Sequence, residues 1–326
     1  AAGDPLTTET IMYGASLTKA AFAFLTLHLV DEGALDLDRP IADLLPQPLP
    51  SYGSPADRRA YGAWGDLVGD DRWRRITPRM TLTHATGFAN FAWLEPDGKL
   101  KFHFEPGSRY AYSGEGVMLL QFGLERGLGL SVGDEMNRRL FAPLGMVRTS
   151  LIWRPDFAGN LADGFGADGA VEAHDERSRV RAAGSMDTTI TDMGRLAAAM
   201  VRGYRLSATS RAAFAAPHLQ ITSEGQFPTL QTPPPERPFP TLAAGLGVIV
   251  FDGPQGRGFY KGGHNDVTGN TMVCLERGRR CVVILANDVR AEAAFPAIVR
   301  AVLGETGVPW RWEYGDMSFW AGPQAR

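Results

Sequence analysis

A serine and a lysine stand three residues apart near the start of this 326-residue chain, in the segment Ser16-Leu17-Thr18-Lys19. Residues 16–33 are predicted to form a helix, and a spacing of three puts the two side chains on one helix face, about one turn apart. Backbone N–H groups at a helix start favour negative charge on a nearby oxygen. A buried lysine could take the proton of the hydroxyl, which predicts an activated serine nucleophile. The alternative is an ordinary serine near a helix start and a solvated lysine, because S-x-x-K also occurs by chance.

The scarcity of lysine makes Lys19 worth attention. Only four of the 33 lysine and arginine residues are lysines, at positions 19, 99, 101 and 261. Arginine stays protonated, whereas an amine can act as a base once burial or neighbouring charge lowers its pKa. Codon bias would also leave a few lysines at arbitrary positions, so each lysine has to be judged by its surroundings.

Two further motifs follow in the chain. Residues 106–114 form a predicted turn that ends in Tyr112-Ser113-Gly114, just before a predicted helix, and Lys261-Gly262-Gly263 ends a predicted strand. Together with S-x-x-K, these motifs resemble the ordered pattern S-x-x-K, Y-x-N and K-T-G of the penicillin-recognising serine hydrolases. The sequence is most similar to the branch that holds the class C β-lactamases, the family VIII carboxylesterases and their carboxypeptidase-like relatives.

The resemblance extends between the motifs. It covers about residues 4–303, and two of the four lysines fall on motif positions. Three more stretches resemble segments of the family, namely residues 76–88, 141–150 and 182–189.

The resemblance implies a role for each motif residue. Ser16 would be the nucleophile and Lys19 its general-base partner. Tyr112 would be the second acid/base, which protonates the leaving group and later activates water; two ammonium groups beside a phenol lower its pKa. Lys261 would supply positive potential beside Tyr112 or a substrate carboxylate. The N–H groups of Ser16 and His264 would form the oxyanion hole.

Two departures from the family pattern bear on the substrate. Gly114 replaces the asparagine of Y-x-N, whose amide would hold a substrate amide carbonyl. Gly262 replaces the threonine of K-T-G, whose hydroxyl would bind a substrate carboxylate. Small residues at Gly262 and Gly263 let a substrate approach the backbone. We expect these three glycines and Trp93 to border the substrate, and both replacements point away from an efficient β-lactamase.

We therefore predict a serine hydrolase that acts through a covalent acyl-enzyme on small carboxylic esters, a β-lactamase-like carboxylesterase. A β-lactamase or D-alanyl carboxypeptidase is the alternative among enzymes, with a β-lactam or amide substrate. An alternative of another class is a sensor that β-lactams acylate without turnover. No cofactor is predicted. No metal is predicted either, because His84 and His174 show no metal-ligand spacing.

The elements that must position these residues change in character along the chain. Helices are predicted at 115–127, 131–142 and 190–202, and the six prolines of 227–240 predict an irregular loop. After residue 241, apolar runs separated by glycine-containing turns predict an antiparallel meander, which a helix at 291–303 covers. The predicted strands are 246–251, 258–261, 270–275 and 281–286.

The predicted fold class is α+β, of the β-lactamase/transpeptidase-like type: an antiparallel sheet flanked by helices, with a large and mostly helical insertion. Residues 1–40 and 241–326 would form the α/β sheet domain that carries Ser16 and Lys261. Residues 41–240 would form the mostly helical domain that carries Tyr112.

Cys274 and Cys281 flank a predicted hairpin turn, which sets them opposite each other. A cross-strand disulfide is one possibility. We favour the other, two buried and unbonded thiols that pack as small apolar side chains.

Composition excludes several other classes of function. A net charge of −3 gives no excess of positive charge with which to bind nucleic acid or an anionic membrane surface. The longest apolar stretch is too short to cross a bilayer, and no signal peptide opens the chain. Periplasm and cytoplasm of a bacterium both remain open, and so does homo-oligomerisation. Relatives carry strands upstream of the nucleophile, so we expect either a shortened form or a sheet with an open edge.

Overall fold

The computed structural model describes residues 5–227, 230 and 241–315. The α-helices are α1 (Leu17–Asp31), α2 (Pro55–Ala60), α3 (Pro78–Leu82), α4 (Gly114–Phe122), α5 (Val132–Met136), α6 (Ile190–Arg202), α7 (Ala208–Phe214), α8 (Phe295–Leu303) and α9 (Trp310–Tyr314). The strands are β1 (Met12–Tyr13), β2 (Gly164–Phe165), β3 (Val171–Glu172), β4 (Asp187–Thr188), β5 (Leu219–Gln220), β6 (Ala243–Ala244), β7 (Ile249–Gly253), β8 (Gly256–His264), β9 (Gly269–Leu275) and β10 (Arg280–Ala286).

Single turns of 3-10 helix connect many of these elements. They are Ile41–Leu44, Leu49–Ser51, Trp64–Leu67, Asp71–Arg75, Ala92–Leu94, Pro155–Phe157 and Val289–Ala294. The predicted helices at 115–127 and 131–142 each end in a wider π-helical turn, Gly123–Gly127 and Asn137–Phe141 respectively. The predicted helix at 190–202 is α6.

The main sheet of the described residues has six antiparallel strands in the order β10-β9-β8-β7-β6-β5. The four predicted strands are β7 to β10, with slightly different ends, and β10 forms one edge of the sheet. α8 packs on β10, as does α6. The antiparallel sheet between helices, preceded by a long and mostly helical stretch, confirms the predicted fold class.

α1 lies at the centre of the molecule. Every side chain from Leu17 to Leu29 is buried, because the helix is apolar on nearly all sides. Gly33, with φ of +73°, follows the last turn and lets the chain leave the helix in a left-handed conformation. The largest apolar cluster joins α1 to the sheet and to the helical stretch, so the helix that follows Ser16 is held from both sides.

Side chains of β8 alternate between two apolar clusters. Phe259 packs in the cluster that contains α1, whereas Tyr260 packs in the cluster that contains Val299 of α8. Because successive residues of a strand point to opposite faces, Lys261 points to the same side as Phe259, toward α1.

β8 is longer than its neighbour β7. The pairing with β7 ends at Tyr260, whereas the pairing with β9 continues to His264. The last four residues of β8 therefore have one edge that β7 does not cover, and this edge faces the region where α1 begins.

One prediction is wrong. Cys274 and Cys281 form a disulfide rather than two free thiols. The two residues are directly opposite each other in the β9–β10 register. Their side chains therefore lie on the same face at the shortest cross-strand separation, which a preference for buried apolar cysteine does not take into account.

Some expectations fall outside these observations. The proline-rich segment 227–240 lies almost entirely outside the described residues. The division into two domains stays a prediction. Within the described ranges, no helix is long and apolar enough to cross a membrane, and no group of three or more histidine, cysteine or acidic side chains is arranged to hold a metal ion.

Candidate active site

Ser16 stands on a sharp turn directly before α1. Ala15 has φ of +47°, a left-handed conformation that L side chains rarely adopt. The turn is held by a 2.8 Å hydrogen bond from the Gly14 N–H to the Met186 carbonyl, and by a 2.6 Å bond from Thr18 Oγ1 to the Ala15 carbonyl. These hydrogen bonds fix the turn, which therefore holds the Ser16 hydroxyl at the N-terminus of α1.

Lys19 reaches back along α1 to the serine. Its Nζ donates to Ser16 Oγ at 3.0 Å and to the Ala183 carbonyl. The side chain is buried, and burial lowers the pKa of the Lys19 ammonium below its ordinary value. Tyr112 opposes this shift and the charge of Lys261 adds to it. A lowered pKa increases the neutral fraction of the amine, the form that can accept a proton.

Tyr112 approaches the same serine from the segment before α4. Its hydroxyl donates to Ser16 Oγ at 2.8 Å, and Lys261 Nζ donates to the Tyr112 hydroxyl at 3.4 Å. Burial raises the pKa of Tyr112, but the ammonium groups of Lys19 and Lys261 outweigh it and bring the pKa to about 8. All four residues predicted to be catalytic thus form one connected cluster.

His84 supports the ring of Tyr112. The two rings are stacked with centroids 4.3 Å apart, and the His84 side chain is buried. Burial, together with the charges of Lys261 and Lys19, holds the pKa of His84 well below its ordinary value. A neutral imidazole therefore packs against Tyr112 and adds no third positive charge.

The uncovered end of β8 runs along the turn that carries Ser16. A Cβ added at Gly263 would lie 2.8 Å from the Gly14 carbonyl oxygen and 3.0 Å from the Ser16 nitrogen, so a side chain at this position does not fit. His264 follows, and its Nδ1 is 3.1 Å from Glu292 Oε1. The structure thus places the chain segments of both predicted oxyanion-hole residues side by side.

A single cavity of about 1580 Å³ joins these groups. Ser16, Lys19 and Tyr112 line it, together with Gly262, Gly263 and His264 of β8. Trp93 also lines the cavity; it is 71% exposed and its ring stacks on Phe91 at 5.6 Å. Trp93 is therefore part of the outer wall.

Gly114 does not line this cavity, whereas two residues that contact it, Asn90 and Phe91, do. A Cβ added at Gly114 would lie 2.4 Å from the ring of Phe91, so Phe91 takes the space of a side chain there. The Gly114 N–H donates to Asn90 Oδ1 at 2.9 Å, and Asn90 and Phe91 both line the cavity.

Asn90 and Glu313 are cavity residues that the sequence motifs do not predict. Asn90 follows the family-like segment 76–88 by two residues, which is a weak signal for its position. Glu313 comes from α9, far from any motif, and only the tertiary structure brings it beside Gly262.

The cluster has the parts needed for acyl transfer. It contains a hydroxyl that is hydrogen-bonded to two groups of lowered pKa, the Lys19 ammonium and the Tyr112 phenol. It also contains a strand edge that offers backbone N–H groups. The described residues around it form no metal site.

Curated relatives match parts of the chain. The chain is 31% identical over 118 residues to the probable fimbrial assembly protein FimD of Dichelobacter nodosus, a match that covers 36% of this chain and 29% of that protein. It is 25% identical over 186 residues to the lovastatin esterase of Penicillium rubens, a match that covers 49% of this chain and 44% of the esterase. The chain thus spans less than half the length of these curated relatives.

Solved structures show the same fold at low identity. A penicillin-binding protein from Bacillus halodurans matches with a TM-score of 0.65 and 20% identity, over 87% of this chain and 82% of that one. A class C beta-lactamase matches with a TM-score of 0.65 and 17% identity, over 87% of this chain and 79% of that one. The Beta-lactamase family model matches residues 1–304. The chain therefore belongs to the beta-lactamase family, whose members are serine hydrolases.

Proposed function

We propose that this protein hydrolyses small carboxylic esters through a covalent acyl-enzyme on Ser16. The observation that carries the proposal is the position of Ser16 Oγ, which is hydrogen-bonded at once to Lys19 Nζ at 3.0 Å and to the Tyr112 hydroxyl at 2.8 Å. One partner can accept the serine proton while the other protonates the leaving group. The cavity gives a substrate access to Ser16, Lys19 and Tyr112.

Acylation would begin when neutral Lys19 takes the proton of Ser16 as Oγ attacks the ester carbonyl carbon. The N–H groups of Ser16 and His264 would stabilise the oxyanion of the tetrahedral intermediate. The intermediate would then collapse, the bond to the alcohol oxygen would break, and Tyr112 would give its proton to that oxygen. The alcohol leaves, and the acyl group remains on Ser16.

Deacylation would use the same groups in the reverse sense. The Tyr112 phenolate, which the ammonium groups of Lys19 and Lys261 stabilise, would take a proton from water as the water oxygen attacks the acyl carbon. The bond to Ser16 Oγ would then break, and the Lys19 ammonium would return its proton to Oγ. The net reaction consumes one ester and one water and yields one acid and one alcohol.

Two observations support an ester rather than a β-lactam. Phe91 fills the space at Gly114 where the family's asparagine side chain would stand, and Gly262 has no hydroxyl to bind a substrate carboxylate. The similarity to lovastatin esterase, at 25% identity over 49% of this chain, is consistent with this preference.

A β-lactamase or D-alanyl carboxypeptidase is the second candidate, and Asn90 is the observation that favours it. Because Asn90 Oδ1 accepts the Gly114 N–H, its Nδ2 remains to donate to a group in the cavity that Asn90 lines. Asn90 could therefore replace the missing asparagine in holding a substrate amide carbonyl. A sensor that β-lactams acylate would show one burst of reaction and no turnover.

The test compares p-nitrophenyl butyrate with a chromogenic cephalosporin as substrates of the wild-type protein and of Ser16→Ala. Ser108→Ala is the matched control, because Ser108 is exposed and bonds only to the nearby Glu105 carbonyl among the described contacts. We expect multiple turnovers of the ester that vanish in Ser16→Ala and persist in Ser108→Ala. Turnover of the cephalosporin alone would overturn the ester assignment in favour of the second candidate, and a stoichiometric burst would favour the sensor.

A further inference from the structure

Glu313 occupies the space beside Gly262 that a side chain on β8 would otherwise fill. A Cβ added at Gly262 would lie 2.1 Å from Glu313 Oε1 and 2.9 Å from its carboxyl carbon. The cavity that contains Ser16 extends to this carboxyl group. A carboxyl group thus stands where the family pattern has a threonine hydroxyl.

The position of Glu313 is fixed by the elements around it. Its side chain is 5% exposed, and Gln226 Nε2 donates to Glu313 Oε2 at 3.0 Å. The neighbouring residue Trp312 anchors α9, because its carbonyl accepts the Gln226 N–H at 2.7 Å and its Nε1 donates to the Ser223 carbonyl at 3.1 Å. A carboxyl group held in this way cannot swing out of the cavity wall without breaking these bonds.

Two carboxyl groups and two basic side chains surround this part of the cavity. Burial raises the pKa of the Glu313 carboxyl group overall, although the charges of Lys261 and His264 lower it. Glu292 is a second buried carboxyl group on the cavity wall, and it is bonded to His264. Lys261 donates to the Tyr112 hydroxyl and His264 is paired with Glu292, so a substrate carboxylate at this place would meet two carboxyl groups and would share both cations with groups that they already bind.

We propose that Glu313 is a specificity-determining residue that disfavours esters whose alcohol portion carries a negative charge and favours those whose alcohol portion carries a positive charge. The inference rests on the proposed esterase function. The alcohol side is the relevant one because Tyr112 would protonate the leaving alcohol, and Lys261 links Tyr112 to the strand on which Gly262 stands.

The experiment uses three aryl butyrates that share one acyl group: 4-nitrophenyl butyrate, 3-carboxy-4-nitrophenyl butyrate and 3-(trimethylammonio)phenyl butyrate. For each, kcat/KM is measured with the wild type, with Glu313→Gln and with Glu305→Gln. Glu305 is exposed and paired with Arg300, so its variant removes the same charge outside the cavity. For each variant, kcat/KM of the charged ester is divided by kcat/KM of the neutral ester, and the result is compared with the same ratio in the wild type. This comparison cancels the intrinsic reactivity of each leaving group.

We expect Glu313→Gln to raise kcat/KM of the anionic ester relative to the neutral ester about tenfold, which corresponds to about 1.4 kcal/mol. The same variant should lower kcat/KM of the cationic ester relative to the neutral ester. Glu305→Gln should leave both ratios within twofold. Unchanged ratios in Glu313→Gln, with the neutral ester still turned over, would overturn this inference and leave the esterase proposal intact. Absence of neutral-ester turnover in the wild type would instead overturn the proposed function itself.

Discussion

Tyr112 has a protonation state that neighbouring groups control. Two ammonium groups bring its pKa to about 8, although burial alone would raise it. If the phenolate activates water, its concentration rises with pH up to that pKa, so kcat should rise about tenfold per pH unit below 8 and level off above it, wherever deacylation limits turnover. A pre-steady-state burst of p-nitrophenol identifies that regime, and the pH dependence of kcat checks the expectation.

Tyr112→Phe should abolish the rise of kcat with pH and lower kcat by about 10²- to 10⁴-fold. Tyr110→Phe is the matched control, because Tyr110 is also buried, lies two residues away and packs against Trp312 rather than Ser16. A rise that persists in Tyr112→Phe would assign the titration to another group, with Lys19 the next to test.

Gly262 and Glu313 form a pair that can be tested without any substrate. Gly262→Thr restores the residue type of the family pattern, but its Cβ would lie 2.1 Å from Glu313 Oε1. We expect the free energy of unfolding to fall by about 1–3 kcal/mol, because the clash forces the strand or α9 to move. Urea unfolding monitored by fluorescence measures the loss.

Adding Glu313→Ala to Gly262→Thr should recover most of that loss. The coupling of the two changes in a double-mutant cycle separates their contact from any general intolerance of threonine on β8. Additive effects would show that the two residues do not compete for one space.

At the residue scale, the sequence predicts reactive groups better than it predicts their surroundings. Lys19 and Lys261 stand out because arginine replaces lysine nearly everywhere else, and the structure brings both to Tyr112. Asn90 and Glu313 do not stand out in the sequence. Their place in the cavity depends on contacts with residues that are far away in the chain. The cysteine pair is mispredicted for a similar reason, since its pairing depends on a strand register rather than on composition.

Among the elements, the β9–β10 hairpin has a covalent link. The Cys274–Cys281 disulfide closes a short loop across two strands, of which β10 is a sheet edge. Reduction should lower the free energy of unfolding by about 2–3 kcal/mol, because the unfolded chain regains the freedom that the closed loop removes. Urea unfolding with and without dithiothreitol measures this difference.

The variant Cys274→Ala/Cys281→Ala is the control for that measurement, and its stability should not respond to dithiothreitol. Equal stability of the oxidised and reduced wild-type protein would contradict a stabilising role of the disulfide. Ser16 and Lys261 lie on other elements, so ester turnover by the reduced protein should persist at temperatures well below its unfolding transition.

Elements with strong patterns are also those that the sequence predicts well. α6 matches its predicted bounds, and β7 to β10 lie where the apolar runs indicate. The predicted helices at 115–127 and 131–142 are helical over nearly all of these ranges, but the later part of each is a π-helical turn rather than α-helix. β5 and β6 have only two residues each, too few to produce a readable alternation.

For the whole molecule, the shared core predicts one cooperative unfolding transition. The largest apolar cluster contains α1, strands of the sheet and helices between residues 41 and 240, so neither part keeps a complete core without the other. We expect far-UV circular dichroism, tryptophan fluorescence and ester hydrolysis to be lost at the same urea concentration. Fluorescence reports on both parts, since Trp64 and Trp312 are buried at opposite ends of the chain. Two separate transitions would show that the sheet and the helical stretch are independent domains.

α9 has a consequence for how this protein could diversify. Glu313 comes from a five-residue helix late in the chain. The four residues of the proposed chemistry come instead from the start of α1, from the segment before α4 and from β8, namely Ser16, Lys19, Tyr112 and Lys261. Under the proposed selectivity, the chemistry and the charge preference are encoded in separate stretches of the gene. Random substitutions confined to codon 313 would therefore sample new charge preferences while the residues for acylation stay unchanged, and a library of that kind would be small enough to screen completely.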